Sequence, residues 1–213
     1  MYRSRTAATI VAPSTMLFCW LVLAPGAAAQ QRFSVESQGG ITLPASRLAH
    51  LTSAGPNVGL TLAYHVRPSL TLSLVGDVDF LNGERLESAT RAPDMRLWHY
   101  GLGLEKQLRP AGVRRLAVAA NLGAGATTFA SDEFAAGSAN PRDFKHTYFT
   151  TSGGLRVGYT VSGKVTTFVG GRAYWMNTDK EDTAALAALD PDRVKAFDSA
   201  WTVPVVAGIN VKL

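Results

Sequence analysis

The sequence predicts an all-β fold: an eight-stranded antiparallel transmembrane β-barrel with short periplasmic turns and long extracellular loops. Three observations predict it. Apolar and polar residues alternate with period 2 through eight segments. The connections between those segments alternate between tight and long, as in bacterial membrane barrels. After Gln30 no apolar run is long enough for a spanning helix, so a membrane is crossed by strands or not at all.

The first strand carries Phe33, Val35, Ser37, Gly39, Ile41 and Leu43 on one face. The second sets Val58, Leu60, Leu62, Tyr64 and Val66 against Gly59, Thr61, Ala63 and His65. Pro68 then interrupts the ladder, and the third strand sets Leu70, Leu72, Leu74, Val78 and Phe80 against Thr71, Ser73, Asp77 and Asp79. In the fourth, Trp98, Tyr100, Leu102 and Leu104 oppose His99, Gly101, Gly103 and Glu105. The fifth runs from Leu116 to Thr128, with Ala117, Ala119, Asn121, Gly123 and Gly125 on its second face. The sixth alternates Phe149, Thr151, Gly153, Leu155, Val157 and Tyr159 with Ser152, Gly154, Arg156 and Gly158. Val165, Thr167, Val169, Ala173 and Trp175 form one face of the seventh, with Arg172 and Tyr174 on the other. The eighth runs from Trp201 through Val203, Val205, Ala207, Ile209 and Val211 to Leu213. Connections near residues 67, 111 and 163 are tight; those at about 44–56, 81–95, 130–146 and 177–198 are long and polar.

Residues 1–29 read as a cleaved secretory signal: Arg3 and Arg5, an apolar run from Met16 to Ala24, then small residues with Ala27 and Ala29 at the cleavage site. Residues 30–213 then form one barrel domain. The single cysteine, Cys19, lies in the signal, which excludes disulfides, thiolate metal sites and cysteine nucleophiles from the remainder. Without Arg3 and Arg5 the formal charge falls from +5 to +3, and no basic run stands out, so nucleic acid is not an expected partner.

Polarity decides which face points outward. Asp77, Asp79, His99, Glu105, Arg115, Arg156, Arg172 and Lys212 share the second face with many glycines, a set that neutralises itself inside a narrow barrel and is a poor solvent face for a soluble one. A register slip of one residue would turn these charges into lipid, where an arginine at the midplane costs about 2–4 kcal/mol. Tyr64, Phe80, Trp98, Tyr100, Tyr159, Trp175 and Trp201, with Phe33 and Phe149, fall near strand ends, where interfacial aromatic girdles belong.

The ending AGINVKL carries one further motif. Gly208, Val211 and Leu213 match the C-terminal assembly signal of outer-membrane barrels, although phenylalanine is usual where Leu213 stands. In this motif and its eight-strand plan the chain resembles the small outer-membrane barrels of the OmpA-like and OmpX-like kind. The resemblance implies an integral location in the bacterial outer membrane and a last strand read by the barrel-assembly machinery. It also implies a monomer surrounded by outer-membrane lipid and lipopolysaccharide.

Candidate chemistry is sparse. Glu105 and Arg115 are equidistant from Pro110 and are expected to pair across a hairpin; Asp77 and Arg172 are placed to meet across the barrel. These charges read either as an ionic gate or as a satisfied interior network, and an eight-stranded barrel is just wide enough for side chains to fill. A lipid A-modifying enzyme would need a nucleophile beside a base. His146 near Asp132 and Glu133 is the nearest approach, so no catalytic residues, cofactor or metal are assigned. In the last loop, Ala184 to Leu189 favours helix and Asp190 with Pro191 reads as a helix start, together a solvated helical hairpin over the barrel mouth. Asp179, Glu181 and Asp182 lack the spacing of a calcium loop. The expected role is a membrane anchor for surface loops in adhesion or other surface contact; the alternative is a small porin or a carrier of apolar molecules.

Overall fold

The computed structural model describes residues 32–85, 92–108, 115–131, 144–188, 191 and 194–213. The signal-peptide reading, with Ala27 and Ala29, falls outside them, as do Asp132, Glu133 and Asp190. Eight long strands follow in order: β1 (Phe33–Ala45), β2 (Gly55–Arg67), β3 (Leu70–Gly83), β4 (Met95–Leu108), β5 (Leu116–Ser131), β6 (Phe144–Thr160), β7 (Val165–Asn177) and β8 (Ser199–Lys212). Each pairs antiparallel with its sequence neighbour, and β1 also pairs with β8 from Ser34↔Lys212 to Ala45↔Trp201. The sheet is therefore a closed eight-stranded barrel in which no long strand is an edge. Thr52–Ser53 adds two residues of pairing beside Asn82–Gly83.

Closure sorts the side chains. Leu74, Leu102, Leu122, Leu155 and Val169 point outward at 57–70% exposure, an apolar band that no part of the chain covers. The inward set at the same level is polar or glycine: Thr61, Ser73, Gly103, Asn121, Ser152 and Arg172.

The strands also continue past this band. The 17 residues of β6 exceed the roughly 9–11 that a tilted strand needs to cross a bilayer, and the polarity of the wall inverts along the excess. Outward-facing Phe80, Trp98, Phe149, Trp175 and Trp201 are followed toward the long loops by outward-facing Asn82, Arg96, Thr147, Asn177 and Ser199. Over the same step the inward positions turn apolar, with Leu81, Met95, Leu97, Phe129, Met176 and Ala200 all nearly or fully buried. The loop-side aromatics mark the level at which the barrel changes from inside-out to an ordinary water-soluble core. The expectation of a charged and glycine-rich interior holds below that level and fails above it, because strands standing in water must bury apolar side chains against one another.

Leu48 and Leu51 from the 3₁₀ turn Ser46–His50 and its exit, Ala92 from the second loop, and Leu186, Ala187, Val194 and Phe197 from the fourth complete this upper core. The fourth loop holds helix α1 (Lys180–Ala187), whose N-cap is Asp179, accepting from Glu181 N at 2.8 Å. The helix covers residues 184–187 of the stretch expected to be helical and begins four residues earlier (184 − 180), while Asp190 of the second start signal lies outside the described residues. Nor is the loop merely solvated. Thr183 Oγ1 accepts from Phe197 N at 2.9 Å and approaches Phe197 O at 2.7 Å, and Arg47 Nη1 donates to Ala196 O at 3.0 Å, so the two halves of the loop are tied together and to the first loop.

Two glycines show how narrow the lumen is. A Cβ on Gly59 would lie 1.9 Å from Asp77 Oδ1, and one on Gly208 would lie 2.4 Å from both the Phe168 ring and Ser37 O. Gly208, part of the assembly-signal motif, is therefore also the notch that seats Phe168 inside the wall, while Val211 and Leu213 face outward. The replacement Gly208→Val should lower the folded fraction, measured as the unboiled, fast-migrating band after refolding in detergent; adding Phe168→Ala should restore part of it.

Candidate functional site

Two guanidiniums organise the middle of the lumen. Arg156, on β6, bridges Glu36 of β1 and Glu105 of β4, with Nη2 2.7 Å from Glu105 Oε1 and Nη1 in a shorter contact with Glu36 Oε2. Its other side lies over the Phe168 ring, 5.0 Å from the centroid. Arg172, on β7, donates to Tyr174 OH at 3.1 Å and Asn121 Oδ1 at 3.3 Å, and lies 3.6 Å from Asp77 Oδ2. The Tyr174 hydroxyl donates to the same Asp77 oxygen, and Gln38 Nε2 donates to the other at 2.7 Å.

Asp79 is held by neutral donors and an imidazole. Thr42 Oγ1 and Asn57 Nδ2 each donate to Oδ1 at 2.6 Å, and His99 Nε2 lies 2.9 Å from Oδ2. The His99 ring stacks on Tyr174 at 4.0 Å and 5°, and its Nδ1 meets Thr127 Oγ1 at 2.6 Å, which meets Thr150 Oγ1 at 2.7 Å. Carboxylate, imidazole and hydroxyl stand in the order of a nucleophile relay. Thr127, however, is fully buried and engaged by Thr150, so no reacting group can approach its oxygen.

Nearer the short turns, His65 bridges Ser34 and Thr71 at 3.0 Å each, and Asn210 Nδ2 donates to Ser34 Oγ at 3.2 Å. Lys212 shares this part of the lumen with Gln107 and Asn210. Near the long loops, His146 Nδ1 lies 3.1 Å from Asp182 Oδ2, which also accepts from Tyr148 OH at 3.1 Å. Asp179 and Asp182 thus serve as a helix cap and a tie to β6, and among the described residues no acidic or histidine group is arranged to hold a metal.

Asp77, Asp79, His99, Glu105, Arg156, Arg172 and Lys212 all lie on the lumenal face. Arg115 does not. It precedes β5, is exposed, and donates to Tyr159 OH at 3.3 Å. The hairpin explains the difference: Glu105 pairs with Asn121, so the ladder is centred on residue 113 (the midpoint of 105 and 121) and not on Pro110. That shift leaves Arg115 outside the lumen and gives Glu105 to Arg156. Sequence reading also missed Glu36, Gln38, Thr42, Asn57 and Tyr174 as network members. Their inward parity was available, but Asn57 meets Asp79 across 22 residues, Tyr174 meets Asp77 across 97 and Glu36 meets Arg156 across 120. Tyr64, Phe80, Trp98, Tyr100, Tyr159, Trp175 and Trp201 face outward in two groups, with Tyr64 and Tyr159 at the short-turn end and the others toward the long loops.

The arrangement is a cross-brace that spans the bore. The replacement Arg156→Met would leave Glu36 and Glu105 buried without a counter-charge and should destabilise the barrel by about 3–5 kcal/mol. Urea unfolding followed by tryptophan fluorescence measures it, and Glu36→Gln with Glu105→Gln in the same chain should recover most of the loss.

No protein-family model matches the chain, and no curated protein matches it in sequence. Among solved structures, Neisserial surface protein A (NspA) superposes with a TM-score of 0.59 at 15% identity, over 85% of this chain and 97% of that one. A major outer membrane protein from Thermus thermophilus superposes with a TM-score of 0.51 at 12% identity, over 85% of this chain and 98% of that one. At these identities the likeness concerns fold alone. The chain has the fold of the small eight-stranded outer-membrane barrels.

Proposed function

We propose that the protein is an integral outer-membrane barrel that anchors its long loops at the cell surface for adhesion or another surface contact, without conducting solutes and without catalysis. The observation that carries this reading is the double inversion of polarity. A bare apolar band surrounds a braced polar bore, and beyond the band a water-soluble core stoppers the mouth. Such a band fits lipid, and in this reading the brace across the bore and the core above it close the path for ions. Lipid and lipopolysaccharide surround the barrel in this reading, and the barrel-assembly machinery reads Gly208, Val211 and Leu213.

The carrier of apolar molecules remains as a second reading on one observation. The β7–β8 ladder runs to Gly171↔Val205 and resumes only at Tyr174↔Thr202. Pro204, which has no N–H to give, lies in the gap. An apolar solute would leave the wall there, and a disulfide between Ala173→Cys and Val203→Cys should then block its uptake.

Three outcomes test the main reading. The protein in the outer-membrane fraction should migrate differently unboiled and boiled, and recovery as an unshifted soluble protein would defeat the reading. Leu122→Arg, at a position 70% exposed in the bare chain, should cost roughly 2–4 kcal/mol in a bilayer, whereas in a soluble barrel it would be nearly neutral. In planar bilayers the intact protein should show no steady open pore. For orientation, a membrane-impermeant amine reagent on intact cells should label Lys145, Lys180 and Lys195, and should reach Lys106 and Lys164 only after the membrane is opened.

A further inference from the structure

Among the described residues, the charged side chains at the short-turn rim of the barrel are all basic. Arg32 ahead of β1, Arg67 at the end of β2, Lys106 near the end of β4, Arg115 ahead of β5, Lys164 ahead of β7 and Lys212 at the end of β8 all reach this rim, and all but Lys212 are exposed. Among the described residues the acidic side chain nearest to it is Glu105, which is buried in the bore and held by Arg156. At the long-loop end the charges are mixed, Glu84, Asp94 and Asp198 standing among Arg47, Lys145 and Lys195. The modest net charge conceals this asymmetry, because the basic residues come from separate turns and meet only when the sheet closes.

Two of these cations are fixed at a definite depth. Arg32 Nη1 donates to Tyr64 OH at 3.2 Å, and Arg115 Nη1 donates to Tyr159 OH at 3.3 Å. Both tyrosines face outward at the edge of the apolar band, so each guanidinium is held just beyond that edge, where lipid phosphates lie. Lys106 Nζ is similarly placed by Ser69 Oγ at 3.1 Å. The cations come from strands and turns spread around the circumference, which forms a ring and not a patch. A soluble anionic partner would need one contiguous face; lipids surround a barrel on all sides.

We propose that this rim is a binding site for anionic phospholipid headgroups of the phosphatidylglycerol class, in the leaflet facing the short turns. The proposal rests on the membrane-spanning reading above and adds a lipid specificity to it. Arginine forks bind phosphate oxygens through paired N–H donors, lysines add point charge, and the attraction fades within a Debye length of salt. Neutral zwitterionic headgroups present the same phosphate with an ammonium beside it and are held less well.

The test reconstitutes the full chain into vesicles of equimolar phosphatidylcholine and phosphatidylglycerol, floats them, extracts the protein with a short shell of lipid, and quantifies both lipids. The wild-type protein should retain phosphatidylglycerol over phosphatidylcholine, and high salt should reduce the preference. The combined variant Arg32→Gln, Arg67→Gln, Arg115→Gln and Lys164→Gln should lower the enrichment at least about threefold. Arg115→Lys should preserve it, as should Lys145→Gln with Lys180→Gln at the other end. Flotation and boiled-against-unboiled mobility are read first for every variant, and a wild-type protein that does not float overturns the membrane reading itself. Should the combined variant fail to fold, the salt response of the wild type decides. Flotation with equal retention of the two lipids, or enrichment that survives both high salt and the combined variant, overturns the ring alone. Capture of soluble peptidoglycan fragments without lipid enrichment also overturns it.

Discussion

Everything in this molecule depends on the ladder between β1 and β8. A sheet whose outer face is apolar cannot leave a row of N–H and C=O groups open to lipid, because an unmet backbone group there costs several kcal/mol. Pairing from Ser34↔Lys212 to Ala45↔Trp201 removes both edges in one step. It also fixes the bore at eight strands, which leaves room for side chains and little else. Glu36, carried by β1, then meets Arg156 on β6, and Gln38 meets Asp77 on β3. The Glu36–Arg156 arm of the brace is a consequence of closure, since β1 is brought near β6 only through β8 and β7, whereas Gln38 reaches Asp77 over Gly59 of the intervening β2.

In the membrane-spanning reading, the same closure sets the height at which the wall leaves the lipid. Along one strand the outward residues run from Leu104, Leu102 and Tyr100 to Trp98 and then Arg96, while the inward ones run from Glu105 and His99 to Leu97 and Met95. One side of each strand therefore reports the solvent on the other side of the wall. Where lipid lies outside, polar groups can gather inside and satisfy one another. Where water lies outside, the hydrophobic effect draws apolar groups inward, and the loops contribute Leu48, Leu51, Leu186 and Phe197 to complete the core. The stopper and the brace are thus two answers to one physical question asked at two heights.

Much of the wall was legible in the chain because period 2 is local: a residue's face follows from its parity once a strand is granted. That is why the outward aromatics and the inward Asp77, Asp79, His99, Arg156 and Arg172 could be placed without a fold. Register across a hairpin is less local. The assumption that Pro110 centres the β4–β5 connection put Arg115 opposite Glu105, and a centre three residues later sends it to the rim with Tyr159. Where α1 begins is likewise not local: Ala184 to Leu189 carries the helical tendency, and the start at Asp179 goes with Thr183 and Leu186 packing with Phe197 in the upper core.

The sequence by itself determined the alternation, the number of strands, the apolar character of one face and the polar character of the other, because each depends on neighbours within a few residues. Only the tertiary structure decided which carboxylate meets which guanidinium, that the upper interior holds an apolar core, and that scattered arginines and lysines gather into one basic rim. Those outcomes depend on the closing ladder and on strand register, which set distances between residues remote in the chain. No local pattern of residues encodes such distances, and a one-residue change of register would redistribute them all.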